Sequence, residues 1–209
     1  MQVKKYKSLQ YLYSEPDCSI NEKHPLLIYM HGSGGRGHDI QAVHFPPYID
    51  EYLKRNKKDM ILCAPLCEED NWYAKLESVI EWIKYMSNLE NVDSDRIYIM
   101  GASMGGFATW ALLMSIPEVF AAAAPLCGGG MTWNVQRIKN IPIWVMHGTA
   151  DLAVDISESI SMVNALRRCG GNVKFTVFSD YGHNVWNPAI DETNLIDWML
   201  EHKKSDQSK

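Results

Sequence analysis

Ser103 lies in a pattern whose residue types suit nucleophilic chemistry. The segment Gly101-Ala102-Ser103-Met104-Gly105 has the form G-x-S-x-G and stands between an apolar run that predicts a strand and a second one that predicts a helix. A sharp strand-to-helix turn exposes the serine hydroxyl, and the flanking glycines leave room for the neighbouring backbone. We therefore expect Ser103 to be a nucleophile. A helix N-cap is the alternative, because serine also favours that position.

A serine nucleophile needs a base that removes its proton, and His183 is the histidine placed best for this task. It lies in "FSDYGHNVW", just past the last predicted strand, with an exposed loop histidine as the alternative. His31 and His147 each precede a glycine at a strand end, where imidazole more often stabilises a loop by hydrogen bonding. The other histidines lie at the fringes or near the first helix: His24, His38, His44 and His202.

A carboxylate must hold the base in the correct tautomer, and Asp151 in "HGTAD" is our choice. It follows the predicted strand "IPIWVMHG" by three residues. Asp155 and Asp180 are rivals, although Asp155 suits the start of a helix and Asp180 the end of a strand. The predicted order along the chain is then Ser103, Asp151, His183.

A tetrahedral oxyanion also requires hydrogen-bond donors placed in advance. We expect one to be the backbone N–H of Met104, at a helix N-terminus. The second is expected in "HGSGGRG", residues 31–37, because glycines leave backbone N–H groups uncovered. Ser33 is the first choice, and Gly34 comes next, in contact with substrate. A flexible turn or a phosphate loop is a weaker alternative, since the lysine and hydroxyl residue of a P-loop are missing.

The elements that must position these residues can be predicted from apolar runs. Short β-rich runs alternate with stretches of helical periodicity, which predicts an α/β fold with a mostly parallel central sheet and helices on both faces. The loops at the carboxyl ends of such strands form the functional face. The predicted strands are residues 25–32, 59–66, 96–103, 120–128, 141–148 and 172–180.

Residues 74–89 and 155–171 show the apolar spacing of helices, and a last helix is expected from Pro188 into "LIDWMLEHKK". The segment "KSLQYLYSEP" predicts an antiparallel edge strand before the first core strand. Neither an internal repeat nor a linker marks a second domain, so one domain over residues 1–209 is expected.

Composition excludes several classes of partner. The chain has 20 basic and 25 acidic residues, a net charge of −5 and no basic cluster, which argues against nucleic acid. No apolar run is long enough for a bilayer or a signal peptide, so we expect no membrane association. Monomer and homodimer both stay open.

Five scattered cysteines without a C-x-x-C pair argue against a metal site and a disulfide framework, so we expect neither metal nor cofactor. They are Cys18, Cys63, Cys67, Cys127 and Cys169. Cys63 and Cys67 are expected to be packing residues. A cytoplasmic protein fits best, and a secreted enzyme without its signal peptide is the alternative.

Four segments together resemble the α/β-hydrolase family of serine esterases: "PLLIYMHGSGGRGHD", "DRIYIMGASMGGFATWALLMSIPEVFAAAAPLCGGG", "HGTAD" and "YGHNVW". They are most similar to the phospholipase/carboxylesterase and carbohydrate-esterase-like branch, which includes feruloyl and acetyl-xylan esterases and proteins classed as peptidases. The resemblance implies an α/β-hydrolase fold, a Ser103-Asp151-His183 triad and an oxyanion hole at Ser33 and Met104. Only "GGMTWNVQRIKN" occupies the usual lid position, which implies a minimal lid or none.

Three tryptophans fall in predicted loops at strand carboxyl ends: Trp72, Trp133 and Trp186. Together they could line one pocket for a sugar ring, a phenolic acyl group or a short acyl chain. Capping of the core by two of them is the equal alternative. The expected function is hydrolysis of small or carbohydrate-linked esters through an acyl-enzyme. Amide or thioester cleavage by the same residues is the second hypothesis, and a non-catalytic binding protein the third.

Overall fold

The computed structural model describes residues 1–16 and 22–208, so Cys18 lies outside the described residues. Eight strands form one sheet in the order β1-β2-β4-β3-β5-β6-β7-β8. The pairs β1–β2 and β2–β4 are antiparallel, and the other pairs are parallel. The predicted mostly parallel sheet is thereby confirmed. The strands are β1 Gln2–Tyr6, β2 Leu9–Ser14, β3 His24–Met30, β4 Ile61–Pro65, β5 Val92–Ala102, β6 Ala122–Leu126, β7 Ile143–Gly148 and β8 Val173–Phe178.

Helices cover both faces of this sheet, as predicted. The α-helices are α1 Phe45–Arg55, α2 Leu76–Ser87, α3 Met104–Ser115, α4 Ser157–Arg168, α5 Trp186–Asp191 and α6 Leu195–Leu200. Helices α2, α3 and α4 bury their apolar side chains against one face, and α1, α5 and α6 against the other. Within the described residues, no helix combines the length and apolarity needed to cross a bilayer.

Strand β3 shows why these runs are continuously apolar. Leu26, Ile28 and Met30 enter the core on one face, and Leu27 and Tyr29 enter the core on the other. Successive side chains of a strand point to opposite faces, so a strand covered by helices on both sides needs apolar residues at every position. Burying each such side chain contributes about 1.5–3 kcal/mol.

The prediction of β2 as the edge strand is wrong. β2 is antiparallel as expected, but β1 pairs along its whole length and forms the edge. The sequence of β1, "QVKKY", is largely exposed and lacks a continuous apolar run. Its strand conformation comes from pairing with β2 through a tight turn at Lys7, whose φ is 52°.

The single C-terminal helix predicted from Pro188 is two helices in the structure, α5 and α6. They are separated at Thr193, whose hydroxyl donates to the Ala189 carbonyl and accepts a hydrogen bond from the Leu195 N–H. A threonine that satisfies a helix end in this way competes with continuation of the helix. The segment between β6 and β7 is a short 3₁₀ helix, Thr132–Ile138, in agreement with the expected minimal lid.

Candidate active site

Ser103 is the single residue between β5 and α3, and its backbone is strained, with φ 57° and ψ −121°. A non-glycine residue with such a φ costs about 1–3 kcal/mol. Its side chain makes no capping hydrogen bond to α3, so the capping alternative does not describe it. A β-carbon on Gly105 would lie 1.9 Å from the Met30 carbonyl oxygen, and one on Gly101 would lie 2.3 Å from the Gly105 carbonyl oxygen. Close approach of β3 to α3 therefore requires Gly105, and close approach of β5 to α3 requires Gly101.

Asp151 follows β7, His183 follows β8, and their side chains meet between the two loops. His183 Nδ1 lies 2.7 Å from Asp151 Oδ2. The Asp151 side chain is fully buried, whereas 27% of the His183 side chain is exposed. The rival carboxylates have other hydrogen bonds: Asp155 accepts one at the start of α4, and Asp180 accepts one from the preceding serine. The geometry therefore favours Asp151 as the partner of His183.

Hydrogen bonds keep the Asp151 carboxyl ionised despite its burial. Burial raises its pKa, but hydrogen bonds from the Val154 N–H, from His183 and from the Ala153 N–H outweigh this effect and hold the pKa below the ordinary value of 3.8. The two backbone N–H groups donate to Oδ1 at 2.8 and 2.9 Å. A carboxylate on Nδ1 makes Nδ1 the protonated nitrogen of His183 and Nε2 the nitrogen that can accept a proton.

A cleft of about 490 Å³ brings Ser103 and His183 to the same cavity. Ser33 and Gly34 of the glycine-rich loop also line it, and Asp151 lies behind His183. Trp186 packs edge-on against the His183 ring, with 5.8 Å between ring centroids. A cavity lined by a nucleophile candidate, a base candidate and glycine backbone has the composition of a hydrolytic site.

The backbone N–H groups of Ser33 and Met104 both precede the first internal hydrogen bond of a helix. In α3 that first bond is donated by the Phe107 N–H, and in the 3₁₀ helix Ser33–Gly35 by the Gly35 N–H. N–H groups at such positions have no partner within their helix and suit an anion. The two predicted donors therefore belong to two different elements, the glycine-rich loop and α3.

His31 holds the peptide group that carries the Ser33 N–H. Its Nδ1 donates to the Gly32 carbonyl at 2.7 Å, and its Nε2 accepts from the Cys67 N–H at 3.0 Å. The C=O and N–H of a trans peptide point in opposite directions, so this bond turns the Ser33 N–H away from His31. A β-carbon on Gly32 would lie 3.5 Å from the Ser103 Cβ, so the loop lies directly against the serine. Burial lowers the pKa of His31 to about 4, which keeps the ring neutral and this tautomer in place near pH 7.

The expectation that three tryptophans line one pocket is wrong. Trp72 is only 1% exposed, lies in the core and donates its indole N–H to the His31 carbonyl. Trp133 is 81% exposed and does not belong to the lining of the cleft. Trp186 lines the cleft as expected. Depth below the surface separates these three positions, and loop membership in a sequence carries no information on depth.

The sequence analysis missed the other side of the cleft, which comes from the start of α1 and the end of β3. Tyr29, Phe45 and Tyr48 form a run of ring contacts, with centroid distances of 5.2 Å for the first pair and 5.6 Å for the second. His44 also lines this side. The aromatic residues of "HFPPY" were the available signal, but no periodicity directs them to the cleft rather than to the core.

Cys127, His147 and Asp151 form a buried group beneath His183, with candidate ligand atoms within 4.8 Å of one another. Burial raises the pKa of the Cys127 thiol to about 12, so it stays protonated, and it donates to the His183 carbonyl at 3.3 Å. Both ring nitrogens of His147 already have protein partners. This group offers a metal no thiolate and no free imidazole nitrogen, so its donors serve the hydrogen-bond network.

Comparisons with known proteins agree with the fold. Residues 67–131 and 130–205 match the prolyl oligopeptidase family. A solved thermostable esterase has a TM-score of 0.88 and 31% identity, over 97% of this chain and 63% of that chain. A bifunctional acetylxylan esterase/xylanase of Neocallimastix patriciarum is 34% identical over 73 residues, 35% of this chain and 11% of that protein. Feruloyl esterase B of Neurospora crassa is 26% identical over 126 residues, 56% of this chain and 43% of that protein.

The chain spans less than two thirds of the length of each of these three proteins. The similarity to the thermostable esterase extends over almost the entire chain and confirms the predicted α/β-hydrolase fold. The family match covers more than half of the chain and includes the positions of Ser103, Asp151 and His183. The chain therefore belongs to the prolyl oligopeptidase family of α/β-hydrolases.

Proposed function

We propose that this protein is a serine hydrolase that cleaves carboxylic esters through an acyl-enzyme. Ser103 is the nucleophile, His183 the general base and Asp151 the carboxylate that orients it. The observation that carries the proposal is the 2.7 Å bond between His183 Nδ1 and Asp151 Oδ2, beside a serine with a φ of 57° in the same cleft. Strained backbone conformations cluster at active sites, and here the strain exposes the Ser103 hydroxyl to the cleft.

The reaction follows from the tautomer of His183. Nε2 takes the hydroxyl proton of Ser103 as its oxygen attacks the ester carbonyl, and Asp151 stabilises the imidazolium. The proton then passes to the leaving alcohol, which departs and leaves the acyl group on Ser103. Water enters, gives its proton to Nε2 and releases the acid, and Ser103 recovers its proton.

The oxyanion of each tetrahedral intermediate is bound by the backbone N–H groups of Ser33 and Met104. Support comes from their place ahead of the first helical hydrogen bonds and from the contact of the Gly32 loop with Ser103. Loss of one such donor typically costs about 2.7–4 kcal/mol of transition-state stabilisation. Here both donors are main-chain groups, so the position of the Ser33 N–H depends on the loop conformation that His31 holds.

The substrates we propose are esters of short or aromatic acids, including acyl and feruloyl groups attached to carbohydrate. The lining of the cleft includes Tyr29, Phe45, Tyr48 and Trp186. We place Gly34, which also lines it, at the substrate carbonyl. Aromatic rings provide rigid apolar contact for a phenolic or short acyl group. Relatives named acetylxylan esterase and feruloyl esterase agree with this substrate class.

We further propose that residues 1–209 act as one α/β-hydrolase domain in a reducing compartment. Within the described residues, both apolar cores pack on the same eight-stranded sheet. The four described cysteines are free thiols, and three of them are buried. Free thiols without a disulfide are the usual state in the cytoplasm.

Hydrolysis of p-nitrophenyl esters from acetyl to dodecanoyl tests the proposal, with Ser103→Ala measured beside the wild type. We expect the wild type to hydrolyse the short esters and Ser103→Ala to lose activity by several orders of magnitude. Asp151→Asn should lower kcat by about 10⁴-fold, since the amide selects the wrong tautomer of His183. Equal activity of Ser103→Ala and the wild type would refute the assignment of Ser103 as the nucleophile. A fully active Asp151→Asn variant would refute the assignment of Asp151 as the carboxylate that orients His183.

Amide cleavage is the second candidate, and membership of the prolyl oligopeptidase family favours it. The same groups can attack an amide carbonyl, and His183 would then protonate an amine. Matched substrates with one acyl group, as the p-nitrophenyl ester and the p-nitroanilide, separate the two activities. A kcat/KM for the anilide that equals that for the ester, with both lost in Ser103→Ala, would make the protein an amidase.

A further inference from the structure

A second imidazole, that of His147, contacts the proposed catalytic carboxylate. His147 lies in β7 with its side chain fully buried, and its Nε2 is 3.1 Å from Asp151 Oδ2. The same carboxylate oxygen accepts the bond from His183 Nδ1 at 2.7 Å. Asp151 thus lies between two histidines, one exposed to the cleft and one enclosed by the core.

The partners of His147 determine where its hydrogen lies. Nε2 faces two oxygens that can only accept, the Asp151 carboxylate at 3.1 Å and the Val154 carbonyl at 2.9 Å. A neutral nitrogen lone pair directed at two acceptors would be repelled by both, so Nε2 must carry a hydrogen. That hydrogen is donated to the Val154 carbonyl, and Asp151 Oδ2 lies beside this bond, 3.1 Å from the same nitrogen.

The other ring nitrogen is anchored by α4. His147 Nδ1 lies 2.8 Å from the Ser159 hydroxyl, which in turn lies 3.0 Å from the Gly128 carbonyl oxygen. Ser159 is fully buried. The imidazole is therefore held at both nitrogens, by the end of β6 and α4 on one side and by the Asp151 turn on the other.

These contacts close a ring around the carboxylate. The Val154 N–H donates to Asp151 Oδ1, and the Val154 carbonyl accepts from His147, which also reaches Oδ2. A carboxylate held at both oxygens cannot rotate about its terminal torsion without losing a bond. Displacement of a catalytic group by about 1 Å can cost 10²-fold in rate.

We propose that His147 is a positioning residue: it donates its Nε2 hydrogen to the Val154 carbonyl, holds the turn whose N–H groups bind Asp151, and thereby orients the carboxylate that binds His183. This role rests on the proposed function, in which Asp151 orients the general base. His147 touches no substrate, so its removal should lower kcat and leave KM nearly unchanged.

Two amide variants separate the two ring nitrogens. In His147→Gln the side-chain amide reaches the place of Nε2 and can donate to the Val154 carbonyl, whereas in His147→Asn it reaches only the place of Nδ1 and keeps the contact with Ser159. We expect His147→Asn to lower kcat by about 10- to 100-fold with KM within threefold. His147→Gln should stay within about fivefold of the wild type, because it retains the donor.

The same substitution in the Asp151→Asn background distinguishes positioning from general stabilisation. If His147 acts through the carboxylate, His147→Asn should change kcat by less than about twofold once the carboxylate is absent. An equal loss in both backgrounds, equal losses for Asn and Gln, or full activity of both variants would overturn the proposal. Wild-type activity of Ser103→Ala and of Asp151→Asn would instead remove the proposed function itself.

The wild-type protein provides a measurement that needs no substitution at His147. ¹⁵N NMR of the histidine side chains distinguishes protonated from unprotonated ring nitrogens. We expect Nε2 of His147 to be protonated near pH 7 and its hydrogen to resonate downfield, with a shift that changes in Asp151→Asn. An unprotonated Nε2, or a hydrogen whose resonance is the same in Asp151→Asn, would overturn the proposal.

Discussion

Ser103 has a backbone conformation that glycine adopts easily and serine does not, so its neighbours must hold it there. Its N–H donates to the Leu126 carbonyl at 2.9 Å, and its carbonyl accepts the first helical bond of α3. Gly105 admits the backbone of β3 at a distance that a β-carbon would not allow. Strain at one residue is thus retained because hydrogen bonds and close contacts on both sides determine the turn.

Gly105→Ala should destabilise the protein by about 3 kcal/mol, because its β-carbon would lie 1.9 Å from the Met30 carbonyl oxygen. Gly34→Ala is the matched control, since a β-carbon there meets nothing within 4 Å. Urea unfolding of the two variants beside the wild type measures the difference. Similar midpoints for both variants would show that the turn can move aside, against our account of the strain.

The candidate partners of Ser103 could be predicted because each follows a strand closely along the chain. The carboxyl ends of neighbouring parallel strands lie at one edge of the sheet, so residues just after them come together. Asp151 and His183 are close in space for that reason, although 32 positions separate them. The contact between His147 and Asp151 could not be predicted. It depends on how the turn after β7 folds back on the strand, and on Ser159 in the next helix.

At the scale of elements, the cleft joins the start of α1 to the start of α5. Phe45 and Tyr48 line it from α1, Trp186 lines it from α5, and the Tyr48 hydroxyl donates to Asp191 at the end of α5. The sequence predicted helices near both places but not their approach across the sheet edge. Such approach depends on helix packing over the sheet, which local periodicity does not encode.

The β1–β2 hairpin and the break between α5 and α6 escaped prediction for related reasons. β1 is a strand because β2 pairs with it, and α5 ends because the Thr193 hydroxyl binds the Ala189 carbonyl. Apolar runs, by contrast, predicted the strands β3 to β8. Within β3 to β7, which lie inside the sheet, burial on both faces leaves a direct mark in the sequence. Elements whose conformation depends on a neighbouring element leave a weaker signal in the sequence.

Trp186→Ala should lower kcat/KM for an aromatic acyl ester about tenfold more than for an acetyl ester, because a phenolic ring loses an aromatic contact in the cleft. Trp133→Ala is the matched control, since Trp133 is 81% exposed and lies outside the cleft lining. The ratio of the two kcat/KM values cancels any effect on His183, which Trp186 also contacts. An unchanged ratio in Trp186→Ala, or an equal change in Trp133→Ala, would contradict the aromatic contact assigned to Trp186.

At the scale of the whole molecule, the loop beside Ser103 is coupled to the folding equilibrium through His31. The ring is 3% exposed, and both its nitrogens are bonded, to the Gly32 carbonyl and to the Cys67 N–H. Burial lowers its pKa from 6.5 to about 4. Between these two values the unfolded chain binds a proton at this histidine that the folded chain does not bind.

Stability should therefore fall as the pH is lowered from 6.5 to 4, with a contribution from His31 of about 3 kcal/mol over that interval. The lowered pKa of Asp151 adds a loss of stability only further into the acid range, below its ordinary value of 3.8, so the two pH windows are distinct.

The variant His31→Asn tests this coupling, since it retains an amide donor for the Gly32 carbonyl and removes the titrating ring. We expect its free energy of unfolding, measured by urea denaturation at a series of pH values, to fall less steeply between pH 6.5 and 4 than that of the wild type. His38→Asn replaces an exposed histidine and controls for the loss of one imidazole. If the curves of His31→Asn and the wild type ran parallel through this interval, the buried neutral ring would not be what links the loop beside Ser103 to folding.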